Sequence, residues 1–167
     1  MIEFSYLKQP PKRYTFEQPK LKKWVENRCK GLVLNLFAGK VMLNVHEIRI
    51  DIDPKFAPDY CMDAYEFVKT TKLKFDTIIF DPPYSQRKSR EKYQGHWIGK
   101  ATKIKRLLPR VMNPICRVIL FGFNSNGMGL GFERKEICLV NHGGDHSDTI
   151  VVIEDKMGDI TTFNKKV

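Results

Sequence analysis

Four short apolar runs separated by stretches of helical periodicity leave this chain few architectures to choose from. Residues 32–36, 47–51, 77–80 and 118–122 are each four or five residues long and rich in aliphatic or aromatic side chains. Continuous runs of that length suit strands covered on both faces, and such strands belong to parallel sheets. Between them lie helical segments. Residues 20–30 carry Leu21, Trp24 and Val25 on one face, with Pro19 at the start and Gly31 at the end. Residues 64–70 and 100–108 read as two more helices, the second with a basic outer side. Strands alternating with helices predict an α/β fold built on a mostly parallel sheet. Two further apolar runs, 135–140 and 149–154, predict an antiparallel hairpin at the C-terminal side.

The 167 residues suffice for one domain with its own core. Residues 1–19 are polar, aromatic and marked by Pro10, Pro11 and Pro19, which reads as an N-terminal arm. Residues 20–167 read as a single domain with no separate target-recognition domain. No apolar run reaches membrane-spanning length, and Met1-Ile2-Glu3-Phe4 lacks a secretory pattern, so the expected location is the cytoplasm. The four cysteines are widely spaced and lie beside apolar residues, which predicts reduced core thiols and no structural zinc.

The chemistry concentrates at Asp81-Pro82-Pro83-Tyr84, directly after the apolar run 75–80. A carboxylate and the Pro82 carbonyl can both accept hydrogen bonds from one amino group. An adjacent ring can stack on the heterocycle that carries the amine. An exocyclic nucleobase amine is a poor nucleophile because its lone pair is delocalised. Accepting its protons makes the nitrogen more amine-like where charge develops. The same four residues also suit an acidic strand end followed by a stiff turn.

This tetrad resembles the signature of S-adenosylmethionine-dependent amino-methyltransferases, which methylate adenine N6, cytosine N4 or guanine N2. The resemblance implies a Rossmann-like methyltransferase fold with a mostly parallel seven-stranded sheet and a C-terminal antiparallel hairpin. It implies S-adenosylmethionine as cofactor, no metal, and Asp81, Pro82, Pro83 and Tyr84 as the catalytic group. The turn Asn35-Leu36-Phe37-Ala38-Gly39 resembles the family's cofactor turn, in which a glycine admits the methionyl part. Asn35 stands where an acid is frequent, and Val41 where a second glycine is expected. Residues 16–20, with Gln18 and Pro19, resemble the family's N-terminal cofactor segment. Asp51 closes the second run, as the acid that receives ribose hydroxyls does, or is a plain strand-end carboxylate. Asp63 matches the residue that bonds the cofactor's adenine amine, and equally fits a helix N-cap.

The net charge of +10 is unevenly spread. Nine Lys/Arg face one acid between positions 85 and 110, and eight face two between positions 8 and 30. Such concentrations beside the tetrad suit phosphate binding, although a charge run is also what a solvated face looks like. Arg87, Lys88, Arg90, Lys92, Tyr93 and Trp97 interleave cations and aromatics, as contact with an RNA base and its backbone requires. The segment 142–148 holds two histidines and reads as a polar lip to the pocket or a simple hairpin turn, not a metal site. The whole chain resembles small archaeal methyltransferases of this class. That implies small-subunit ribosomal RNA as partner, with cytidine N4 dimethylation as the specific expectation, in a monomer or small homo-oligomer. DNA methylation and a non-catalytic RNA-binding role stay open on sequence alone.

Overall fold

The computed structural model describes residues 1–83 and 101–158. In chain order the strands are β1 (Glu3–Lys8), β2 (Val33–Leu36), β3 (Glu47–Asp51), β4 (Tyr60–Cys61), β5 (Phe75–Phe80), β6 (Met112–Gly122), β7 (Phe132–Asn141) and β8 (Thr149–Lys156). The helices are α1 (Pro19–Glu26), α2 (Ala64–Thr70) and α3 (Ala101–Leu107), with short 3-10 turns at Thr15–Glu17, Pro54–Phe56 and Leu108–Val111.

One eight-stranded sheet orders these as β1-β7-β8-β6-β5-β2-β3-β4. Strand faces alternate as the pleat requires. Leu34, Ile78 and Val118 pack with Phe67 and Val68 of α2 and Ile104 of α3. On the opposite face Val33, Ile79 and Ile119 pack with Leu21, Trp24 and Val25 of α1. Each of those α1 side chains contributes on the order of 1.5–3 kcal/mol by leaving water. Pro19 opens α1 at a position whose N–H would be unpaired anyway. Asp63 caps α2 by accepting from the N–H groups of Tyr65 and Glu66.

Gly31 lies where the chain turns into β2. Its φ is +55°, and a Cβ there would sit 2.2 Å from Asp76 Oδ2. That carboxylate accepts from Leu32 N at 2.8 Å and from Asn113 Nδ2 at 2.7 Å, so it ties the starts of β2 and β5 to β6. Pro114 falls where the β5/β6 register shifts, between Phe75 and Thr77, which is where a strand tolerates a missing N–H.

The architecture corrects the expected seven-stranded sheet with a closing hairpin. β7 and β8 do pair antiparallel, but β8 inserts between β6 and β7 and runs antiparallel to both. Its run Val151-Val152-Ile153 is buried throughout, as a central strand demands and an outer hairpin arm does not. Arg117 faces Asp155 across this pairing and grips it with two bonds of 2.7 and 2.9 Å. The eighth strand is β1, inside the segment read as an arm, which pairs parallel to β7 at the sheet edge. Its Phe4 and Tyr6 are exposed, so it lacks the burial pattern by which strands are read from sequence. The thiols also differ from expectation. Cys116 and Cys138 are buried, and burial pushes both up to about 12, but Cys61 is exposed on β4. No helix among the described residues is long and apolar enough to cross a membrane.

Candidate active site

Because β1 and β7 run with β6, and β6 with β5 and β2, five chain segments leave the sheet along one edge. They enclose a cleft of about 870 Å³. The turn after β2, Asp81 to Pro83 after β5, the end of β6, the β7–β8 loop and the segment after β1 all line it. Open α/β sheets hold ligands at this edge.

The turn after β2 is held from below. Gly39 has φ of +61°, and Phe37 also adopts +61°, a region that side-chain-bearing residues seldom occupy. Gly39 N donates to Asp51 Oδ2 at 2.8 Å, and its carbonyl accepts from Arg49 Nη2 at 2.5 Å. Asp51 Oδ1 accepts from Asp53 N at 2.9 Å. Burial pushes the Asp51 carboxyl upward, partly countered by these backbone N–H groups. Arg49 is only 4% exposed and also donates to the Phe56 and Ala57 carbonyls at 3.1 and 3.3 Å. Sequence reading passed over Arg49, although a cation between two isoleucines in a strand is the available signal. Asn35 is buried on the same face, where Nδ2 donates to Glu47 Oε2 at 2.9 Å. Its Oδ1 has no partner among the described residues.

The segment after β1 closes the other side. Gln9 N donates to Asn141 O at 3.0 Å. The Gln9 carbonyl accepts from His142 Nδ1 at 3.0 Å, and His142 Nε2 lies 2.8 Å from Thr149 Oγ1. His142 therefore ties β1 to the start of β8. Farther on, Tyr14 meets Phe56 edge-on at 5.4 Å, and Phe16 meets Phe121 likewise at 5.8 Å. Between them Thr15 Oγ1 donates to Asp81 Oδ2. Gln18 is buried against the cleft, and its side-chain carbonyl has no hydrogen-bond partner among the described residues.

Of the residues singled out in the sequence, Gln18, Phe37, Ala38, Gly39, Asp81, Pro82 and Pro83 line this one cleft. Asn35 and Asp51 lie behind it, Asp51 as the support of the Gly39 turn. Pro19 begins α1, and Asp63 stands at the N-terminus of α2. Neither they nor Asn35 and Asp51 are among its lining residues. Tyr84, Arg87, Lys88, Arg90, Lys92, Tyr93 and Trp97 lie outside the described residues.

No protein-family model and no curated protein sequence matches the chain. Solved structures do match. The chain resembles TrmN from Thermus thermophilus with a TM-score of 0.57 at 17% identity over 84% of its length. It resembles YhhF of Escherichia coli, named as a methyltransferase, with a TM-score of 0.58 at 10% identity over 92% of each chain. SMU.776, named as a methyltransferase and solved with SAH, gives 0.57 at 14% identity over 81% of this chain. The fold is a Rossmann-like methyltransferase fold. The chain spans about half the length of TrmN and SMU.776, at 49% and 48%, and most of YhhF. Within this methyltransferase fold the cleft stands over the carboxyl ends of β2, β5 and β6, with Asp81 and the Gly39 turn on neighbouring strands.

Proposed function

We propose that this chain is an S-adenosylmethionine-dependent methyltransferase acting on an exocyclic amine of an RNA base. Ribosomal RNA is the proposed substrate, and cytidine N4, methylated once or twice, the proposed target. The observation that carries the reading is the meeting of Asp81, Pro82 and Pro83 with the Phe37-Ala38-Gly39 turn in one cleft. A carboxylate followed by two prolines and a glycine turn serve different halves of a transfer reaction.

The cleft fits the cofactor. Gln18 offers a buried carbonyl with no partner among the described residues, Gly39 lets the backbone approach, and Phe37 and Phe121 supply apolar wall. Gln18, Pro19 and the turn from Phe37 to Gly39 would hold the methionyl end. Asn35 would act from behind that turn, with Asp51 proposed for the ribose and Asp63 for the adenine. SMU.776, of the same fold, was solved with SAH. When bound, the cofactor supplies a methyl group activated as a sulfonium.

The chain's own residues would do the rest by positioning and electrostatics. Asp81 and the Pro82 carbonyl accept hydrogen bonds from the amine, Asp81 takes the proton that the methylated nitrogen releases, Pro83 fixes the turn, and Tyr84 stacks on the base. The basic segment with Arg87, Lys88, Arg90, Lys92, Tyr93 and Trp97 is proposed to hold the surrounding RNA.

The test is methyl transfer from labelled S-adenosylmethionine to unmodified small-subunit rRNA, followed by mass spectrometry of its nucleosides. Asp81→Ala is expected to abolish incorporation while calorimetric cofactor binding persists. Full activity in that variant overturns the assignment. Equal incorporation into duplex DNA overturns the choice of RNA.

A further inference from the structure

The segment that bonds Asp81 also carries two cations with no acid to neutralise them among the described residues. Lys12 and Arg13 are exposed and line the cleft. Among the described residues neither makes an ion pair or a hydrogen bond to protein; Arg13 only lies 5.7 Å from the Tyr14 ring centroid. The neighbouring cations are spent. Lys40 pairs with Glu17, Lys55 with Asp53, and Arg49 is buried under the Gly39 turn. From Gln9 to Phe16 the segment contains no acid at all. Asp145, in the β7–β8 loop, also lines the cleft.

Position gives these charges a use. The segment is anchored at Gln9 by Asn141 and His142, and at Tyr14 and Thr15 by Phe56 and Asp81. Arg13 and Lys12 therefore lie two and three residues from the catalytic contact, at most about 7 and 10 Å along the chain. A nucleotide whose amine reaches Asp81 brings its own and its neighbour's phosphate within range of side chains rooted at that distance.

We infer that Lys12 and Arg13 form a phosphate-binding lip for the RNA strand flanking the target base. The inference rests on the proposed RNA methylation and adds a binding site on the segment that follows β1. Each phosphate neutralised on a single strand steepens the salt dependence of binding by about 0.7 in log–log slope.

The test measures the affinity of a short single-stranded RNA of fixed sequence across a salt series. Lys12→Ala with Arg13→Ala is expected to flatten the slope by about 1.4. The exchange Lys12→Arg with Arg13→Lys is expected to keep it, and both variants to bind S-adenosylmethionine as the native chain does. An unchanged slope in the double alanine variant, with the native chain still binding and methylating RNA, overturns the lip alone. A native chain that binds no RNA overturns the proposed substrate and the lip together. Equal losses on RNA and duplex DNA overturn the assignment to RNA.

Discussion

The hydroxyl of Thr15 donates to the carboxylate of Asp81 across 2.5 Å, joining the segment after β1 to the end of β5. The bond fixes the plane of the group proposed to receive the substrate amine, from a 3-10 turn that Tyr14 and Glu17 brace: Tyr14 N donates to Glu17 Oε2 at 3.3 Å.

Thr15→Val is expected to lower turnover while leaving cofactor binding intact. A hydrogen bond to a charged group contributes about 1.5–3 kcal/mol, which corresponds to roughly 10- to 100-fold in rate if it acts in the transition state. Thr15→Ser should retain most of the rate. Steady-state kinetics on the native chain and the two variants checks it, and an undiminished rate in Thr15→Val would mean that Thr15 acts elsewhere.

Gln18 carries a buried carbonyl without a partner among the described residues, an arrangement that costs about 1–3 kcal/mol. Gln18→Leu is therefore expected to raise the thermal midpoint by a few degrees, at roughly 2–4 °C per kcal/mol for a chain of this size. The same change should weaken S-adenosylmethionine binding by about tenfold or more, the worth of one hydrogen bond. Thermal melts and calorimetry on one preparation separate the two effects. Undiminished cofactor affinity would remove Gln18 from the site.

Acid should loosen the junction of β6 and β8. The Arg117 guanidinium holds Asp155 below the ordinary carboxylate range. Burial pushes Glu136 up, but Arg28 and Ser5 outweigh it and the net shift is downward. Both groups therefore bind protons more weakly in the fold than in the unfolded chain. Their contribution is present above the ordinary carboxylate pKa and is lost as pH falls toward their folded values. Glu47 and Asp51, raised by burial, act in the opposite sense. Asp155→Asn should start less stable at neutral pH and lose less on acidification, as melts at pH 7 and in the acid range would record. An equal acid loss in both proteins would assign the effect to other carboxylates.

Local pattern revealed much of this molecule because burial on both faces leaves a local mark. β3 and α2 fall at the residues expected, and the run 75–80 is followed by Asp81, which lines the cleft. β1 escaped because an edge strand with Phe4 and Tyr6 outward has no apolar run to read. The place of β8 escaped because strand order is a pairing between distant segments: the sequence shows an apolar run and not its neighbours. Thr15 and Arg49 belong to the same class, since each acts on a residue contributed by another strand. Gln18 and Gly39, by contrast, stand out by resemblance to a family pattern, and both line the cleft.

The central seat of β8 has a consequence for how the chain is made. Until residues 149–156 have left the ribosome, the apolar edge of β6 has no partner on that side, and β7 with β1 has no sheet to join. At about 5–20 residues per second, the span from Gly122 to Lys156 keeps that edge open for seconds during synthesis. The nascent protein is thus exposed to mispairing at one definable border, and closure comes from β8, the last of the described strands, and not from β1.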